Sequence, residues 1–383
     1  MKKYNILIGI FIGITSLSAE PYIAVRTGYK CSQCHVNKTG GGKRTGFGFV
    51  YSQTNLPTFQ AKSQNKSGMF TNMINEYFSI GTNFRVANKT IIGTDSTRNI
   101  VGQDGDPRYN NSITMPEANI YLEISAIPDR MLFYVDENFA PGAANREAFA
   151  MVYNLPLNSY IKFGRVMMPF GLRLLDDGGD GSYIRQKTGF NSYGKQEAAY
   201  EIGIEPGPFS LITAVGNGQD ASAMDKQITT VGSVVFRRFR LGGSFSYNKG
   251  DVDTELVSGI FAGGNHGIFT WMFEKDFFQK KDSDGNGLSN FGKYDDVGDQ
   301  SMTYFSLDTR LYRGVNFKIS WDHWDPMSNW KTEERDRWTI GLELFPIQYL
   351  QTSIFYRYRT APNLDIYDAD NEDQIYFETQ FFF

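Results

Sequence analysis

The sequence predicts an all-β protein: an outer-membrane antiparallel β-barrel of about 16 strands, entered through a small irregular N-terminal segment. Three observations predict it. From about Met73 onward, segments of roughly ten residues alternate between apolar and polar side chains. The connections between them alternate between short and long. The chain is also aromatic and glycine-rich, with 31 Phe, 22 Tyr, 5 Trp and 39 Gly, yet polar on average at a mean hydropathy of -0.38. That combination suits a wall that is apolar towards lipid and wet inside.

The first residues carry Lys2 and Lys3, an apolar run from Ile6 to Ile14, and small residues at Ser16, Ser18 and Ala19. This is the pattern of a secretory signal peptide over residues 1–19. The run is too short to span a bilayer as a helix, and no later stretch supplies the roughly 20 apolar residues a helical span needs.

Residues 20–70 form a separate piece, too glycine-rich and irregular for strands. They are basic, with Arg26, Lys30, Lys38, Lys43, Arg44, Lys62 and Lys66 against Glu20. Both cysteines of the chain lie here, in "GYKCSQCHVNKTGGGKRTGFG", spaced Cys-x-x-Cys-His. That spacing lets Cys31 and Cys34 form two thioether bonds to one haem while the His35 imidazole reaches the iron. A redox dithiol would need a βαβ context, and a zinc site would need a second Cys or His pair; the sequence offers neither. One covalent haem c is therefore expected, with Cys31, Cys34 and His35 binding it and His35 as the metal ligand. For the sixth ligand the candidates are His266, His323, Met69, Met73, Met167 and Met168.

Residues 71–383 carry the strands. In "EANIYLEISAI", Ala118, Ile120, Leu122, Ile124 and Ala126 take one face and Glu117, Asn119, Tyr121, Glu123 and Ser125 the other. Carboxylates cannot face lipid, so the second face is lumenal. The same parity sets Phe84 and Val86 against Asn83 and Arg85, Trp338 and Ile340 against Thr339 and Glu343, and Ile354 and Tyr356 against Ser353 and Arg357. The chain closes on "QIYFETQFFF", where Ile375, Phe377, Thr379, Phe381 and Phe383 alternate with Gln374, Tyr376, Glu378, Gln380 and Phe382.

Short turns are expected at 127–130, 155–158, 205–208, 237–240, 263–265, 313–314 and 345–348. Longer loops fall at 88–114, 139–145, 169–195, 217–226, 248–253, 276–299, 324–334 and 360–372. Such a count gives an even number of strands with both termini on the short-turn side, hence in the periplasm. Lumenal Glu123, Glu205 and Glu343 near that end, with Glu201 and Glu378 deeper, would draw the basic segment in as a plug. The long loops are rich in Asp and Glu; they gather divalent cations or simply stay solvated. Asp282, Asp284, Asn286 and Gly287 mimic the start of a calcium loop, but Lys293 stands where its bidentate glutamate belongs.

Nothing points to hydrolytic, nucleotide-binding or nucleic-acid chemistry: no phosphate-cradling glycine loop opens a helix, three histidines make no Ser-His-Asp set, and no basic nucleic-acid patch forms.

The stretch "AVRTGYKCSQCHVNKTGGGKRTGFG" ahead of a barrel resembles the fused outer-membrane monohaem cytochrome-porins, which include the iron-oxidising outer-membrane cytochromes. The C-terminal strand resembles the one by which outer-membrane barrels are recognised for assembly, and "IKFGRVMMPFGLR" resembles a motif of phosphate- and anion-type porins whose wall leads into an inward loop. The first resemblance implies electron transfer across the outer membrane, between a periplasmic carrier and an extracellular donor or acceptor such as Fe(II). The alternative is a porin channel for small ions or solutes, its N-terminal segment bearing haem or gating. A peroxide-type haem enzyme is a more distant rival. In each case outer-membrane lipid surrounds the chain and nucleic acid is no partner.

Overall fold

The computed structural model describes residues 21–60, 71–93, 108–141, 146–174, 182–190, 196–218, 226–250, 253–282, 300–326, 334–360 and 372–383. The signal peptide, Met69, the calcium-like loop beyond Asp282 and most of the acidic loop residues lie outside them.

Sixteen strands close into one antiparallel barrel. They are β1 Phe78–Gly93, β2 Arg108–Ile127, β3 Met131–Asn138, β4 Glu147–Leu155, β5 Ser159–Met167, β6 Gln196–Ile204, β7 Phe209–Gly216 and β8 Gln227–Phe236. They continue as β9 Phe239–Lys249, β10 Asp253–His266, β11 Phe269–Asp282, β12 Gln300–Tyr312, β13 Val315–Asp325, β14 Arg335–Leu344, β15 Leu350–Thr360 and β16 Glu372–Phe382. Each pairs with its sequence neighbours, and β1 closes on β16 with Phe84 opposite Phe381. No described helix is long and apolar enough to cross a membrane.

Parity holds around the wall. Phe84, Val86, Trp338, Ile340, Ile354 and Tyr356 are exposed on the outside, whereas Asn83, Arg85, Glu117, Asn119, Glu343, Ser353 and Arg357 are buried within. The C-terminal strand obeys it too: Gln374, Tyr376, Glu378, Gln380 and Phe382 are buried and Phe381 is exposed. β1 and β2 run longer than the ten residues expected, at 16 and 20, so both extend into what was expected as the 88–114 loop.

All seven short connections carry a residue with positive φ: Asp129, Leu157 and Asn158, Gly207, Arg237, Gly267, Gly314 and Tyr349. Tight hairpins need that left-handed backbone to match strand twist. One expected turn is displaced. β10 runs through Gly263 and Gly264 to His266, and the chain reverses at Gly267 and Ile268. Gly263 is small for a different reason, since a Cβ there would come 2.9 Å from the Val25 side chain. It makes room for the N-terminal segment rather than for a turn.

That segment is helical in three short pieces, α1 Pro21–Thr27, α2 Cys31–Cys34 and α3 Gly46–Thr54, at the short-turn end of the lumen. Tyr22 donates its hydroxyl to Glu343, Lys43 Nζ lies 2.8 Å from Glu123, and Asn37 donates to Glu147 at 2.7 Å. Thr58 is tied to the carbonyls of Phe345 and Arg313. Glu205 takes part through its carbonyl, which accepts from Lys30 Nζ at 3.2 Å. Glu201 and Glu378 serve the wall instead, paired with Lys162 at 2.9 Å and Arg85 at 3.7 Å.

A second segment enters from the wall. After β5, residues 168–174 turn into the lumen, and α4, Tyr183–Thr188, lies there as well. The motif Ile161–Arg173 thus leads inward as its resemblance implied. Leu172 N–H donates to Glu274 at 3.1 Å, Gly171 N–H to Ser244 at 2.7 Å, and Arg185 lies 3.2 Å from Glu274. Phe170 stacks on Phe190 with centroids 4.4 Å apart. Together with Tyr22, Val25 and Val36, these residues form an apolar cluster inside the barrel. An open porin keeps that space polar and wet.

Candidate haem-binding cavity

The two ends of α2 are the two cysteines. Lys30 caps the helix, with its N–H donating to the Gln33 side chain at 2.9 Å. His35 leaves the helix extended, its N–H donating to Cys31 O at 2.9 Å, and pairs across a bridge with Arg44. Between them the chain reverses through Gly40, Gly41 and Gly42, with φ of 99°, 74° and 63°. No residue with a Cβ adopts three such angles in a row without strain. Space demands glycine as well: a Cβ on Gly40 would lie 3.2 Å from Cys31 Cβ, and one on Gly42 would lie 2.1 Å from the Tyr134 hydroxyl oxygen. Gly48 brings α3 against the Cys34 carbonyl, where a Cβ would come within 2.1 Å.

Cys31, Cys34 and His35 open on one cavity between the segment and the barrel wall, with an empty volume of about 1760 Å³ that includes its open mouth. Its apolar lining includes Ile23, Leu56, Phe170, Leu172, Ile212 and Phe261. Lys30, Lys38, Arg44, Arg146, Arg173 and Arg240 bring cations to the same walls, against Glu117 and Glu205. Arg173 donates to the Gly40 carbonyl, so the inward segment is latched to the glycine turn. Arg240 donates to the Tyr29 carbonyl at 2.9 Å and has a nitrogen 4.0 Å from the Cys31 sulfur.

Both thiols are free. Burial pushes the Cys34 thiol up to about 11, with Cys31 adding to the effect and Arg44 opposing it. Burial lowers His35 to about 3; the Arg44 and Arg173 charges add to this and the backbone of Gly42 and Gly41 offsets part of it. The imidazole is therefore neutral, the form that ligates a metal. Its Nδ1 is buried without a hydrogen-bond partner. Paired thiols, a neutral imidazole with a spare nitrogen, an apolar bed and surplus cations for carboxylates fit a c-type haem.

The sixth-ligand candidates among the described residues do not reach this cavity. His266 is exposed at a turn, His323 hydrogen-bonds Asp336 at 3.1 Å, and Met73 is exposed. Met167 and Met168 are buried outside the lining, and the Met167 sulfur accepts from Arg173 at 3.1 Å. Among the described residues that line it, His35 is the one histidine and no methionine is present. The sequence missed Glu147, Arg173 and Arg240, whose roles depend on which distant strands the closed barrel brings opposite the segment.

No known family model and no curated protein matches the chain. Solved structures do. The anion-selective porin of Comamonas acidovorans aligns over 80% of this chain and 99% of its own, with a TM-score of 0.57 at 10% identity. The outer-membrane channel DcaP of Acinetobacter baumannii aligns over 86% and 100%, at TM-score 0.55 and 10% identity. OmpF of Salmonella typhi, solved with daunomycin, aligns over 82% and 100%, at TM-score 0.55 and 11% identity. At such identity the likeness establishes the fold: the chain has a porin-type 16-stranded barrel. None of these neighbours speaks for the cytochrome resemblance.

Proposed function

We propose that this chain is an outer-membrane electron-transfer protein whose N-terminal segment carries one c-type haem inside a porin-type barrel. The observation that carries the reading is that Cys31, Cys34 and a neutral His35 all line one cavity. Once bound, the group supplies reversible one-electron Fe(II)/Fe(III) chemistry. Cys31 and Cys34 would hold it covalently and the His35 imidazole would ligate its iron. Arg173 and Arg240 bring positive charge to the cavity that would suit its carboxylates, and Phe170 and Leu172 would keep water from one side. The short-turn end, with both termini, faces the periplasm and a soluble carrier there; the long loops face the extracellular donor or acceptor. Haem staining under denaturing conditions tests this directly: stain in the wild type and none in the Cys31→Ala, Cys34→Ala double variant is expected, and an unstained wild type ends the reading.

The comparisons speak more directly for the alternative, a channel, because the neighbours are porins and a channel. What supports the electron-transfer reading against it is the apolar cluster that the N-terminal and inward segments form inside the barrel. Planar-bilayer recording separates the two. A closed conduit passes little current, whereas conductance typical of an open porin favours the channel.

A further inference from the structure

The outer side of α3 is an apolar face that the barrel does not cover. The helix buries Gly48, Phe49, Ser52 and Gln53 and presents Phe47 and Val50, which are 48% and 53% exposed. Its C-terminal end is fastened to the short turns, with Arg313 donating to the Thr54 carbonyl, so this face closes the mouth of the lumen rather than lying in the lipid band. Phe47 packs edge-on to Tyr29 at 5.3 Å and lies 6.3 Å from Tyr51, which lines the cavity. The inner side of the same helix touches the Cys34 carbonyl through Gly48. The patch is thus one helix thickness from the thioether position.

The short turns at this end of the barrel are cationic. Arg130, Arg237, Arg238, Arg310 and Arg313 are exposed, against exposed Asp129 and Glu76 at that end. None of the five arginines has a carboxylate within ion-pair distance among the described residues. Arg310 is near enough to Tyr51 to act on its hydroxyl.

We propose that this face docks an acidic, soluble electron-carrier protein, with Phe47 and Val50 at the centre of the contact and the arginines as its rim. The proposal rests on the haem reading above. A small apolar centre with complementary charge around it suits a brief redox encounter, which buries less area than a stable complex. One electron leaves the reduced partner and arrives at the oxidised one, in either direction, with no bond formed or broken and no proton moved.

The test uses the intact, haem-loaded protein in detergent, mixed by stopped flow with one acidic and one basic soluble monohaem cytochrome of known charge. At low ionic strength the acidic carrier is expected to exchange electrons about tenfold faster, an advantage lost at high salt. Arg238→Glu with Arg310→Glu should reverse the preference. Phe47→Ser with Val50→Ser should slow the acidic carrier at every salt concentration. Reduction by ascorbate should be unchanged in all variants, which reports an intact haem site. Equal rates for both carriers, or variants that behave as wild type, overturn the docking surface while the haem stain leaves the haem reading standing. A protein without haem ends both.

Discussion

The basic segment is held in the lumen by a few buried polar contacts, and Lys43→Met removes one of the strongest. Lys43 is 2% exposed and its Nζ lies 2.8 Å from Glu123, whose side chain is 15% exposed. Removing the lysine leaves Glu123 with the Ser79 hydroxyl, at 2.8 Å, and a little water. An orphaned buried charge costs about 3–5 kcal/mol, and those remaining contacts put this case near about 3. That is roughly a 150-fold loss in the ratio of seated to unseated segment. Cleavage within residues 21–60 by added protease follows the unseated population when reseating is fast, so the rate should rise by about two orders of magnitude. Lys43→Met combined with Glu123→Leu removes both charges and should restore most of the protection. Wild-type cleavage in the single variant would refute the reasoning. So would a double variant as sensitive as the single.

Two further substitutions probe the cavity itself. Gly42→Ala forces a left-handed residue at φ 63° and sets a Cβ 2.1 Å from the Tyr134 hydroxyl, which accepts from Lys43 N–H; with about 1–2 kcal/mol of backbone strain and about 1 kcal/mol for the lost hydrogen bond, its thermal inactivation should come well below wild type. Gly46→Ala, where a Cβ meets nothing within 4 Å, is the control and should match or exceed wild type. In protein made without haem, Cys34 should alkylate slowly at pH 8. A thiol pushed to about 11 has roughly a hundredth of the thiolate of one at its ordinary 9.0, and the higher basicity of that thiolate recovers about half of that deficit on a logarithmic scale, leaving Cys34 roughly tenfold slower than a peptide thiol and speeding as pH rises towards 11. Alkylation at the peptide rate would contradict the burial.

The wall was legible because a strand repeats every two residues and lipid tolerates no carboxylate, so Glu117 and Glu343 reveal the lumenal row without any knowledge of partners. The short turns were legible where the left-handed position is a Gly, Asn or Asp, as at Gly314 and Asp129. The same rule misplaced the turn at 263–265, because glycine serves close packing as well as reversal and only the position of Val25 distinguishes them. The Cys31, Cys34 and His35 spacing is a local pattern, visible without knowledge of its partners. The inward apolar packing of Phe170, Leu172 and Tyr183 was not legible from period or composition. Their partners lie on elements distant in sequence, such as Trp324 beside Tyr183, and no local pattern encodes that pairing.

The segment and the barrel need each other. Residues 21–60 form helices of 7, 4 and 9 residues, too short to be stable in water on their own. Their buried apolar side chains, Tyr22, Val25, Val36 and Phe49, are buried largely by lumenal partners, and a piece of this size lacks the surface to build a core alone. The cavity is likewise composite: Cys31, Cys34 and His35 come from the segment, while Phe170, Arg173 and Arg240 come from the barrel and its inward segment. A fragment spanning 20–70 should therefore show little helix by circular dichroism even if haem is attached to it, and adding the barrel made without it should restore helix and shift the haem spectrum. A fragment that folds by itself to the same spectrum as the full chain would mean that the barrel shelters a finished cytochrome and contributes nothing to its pocket.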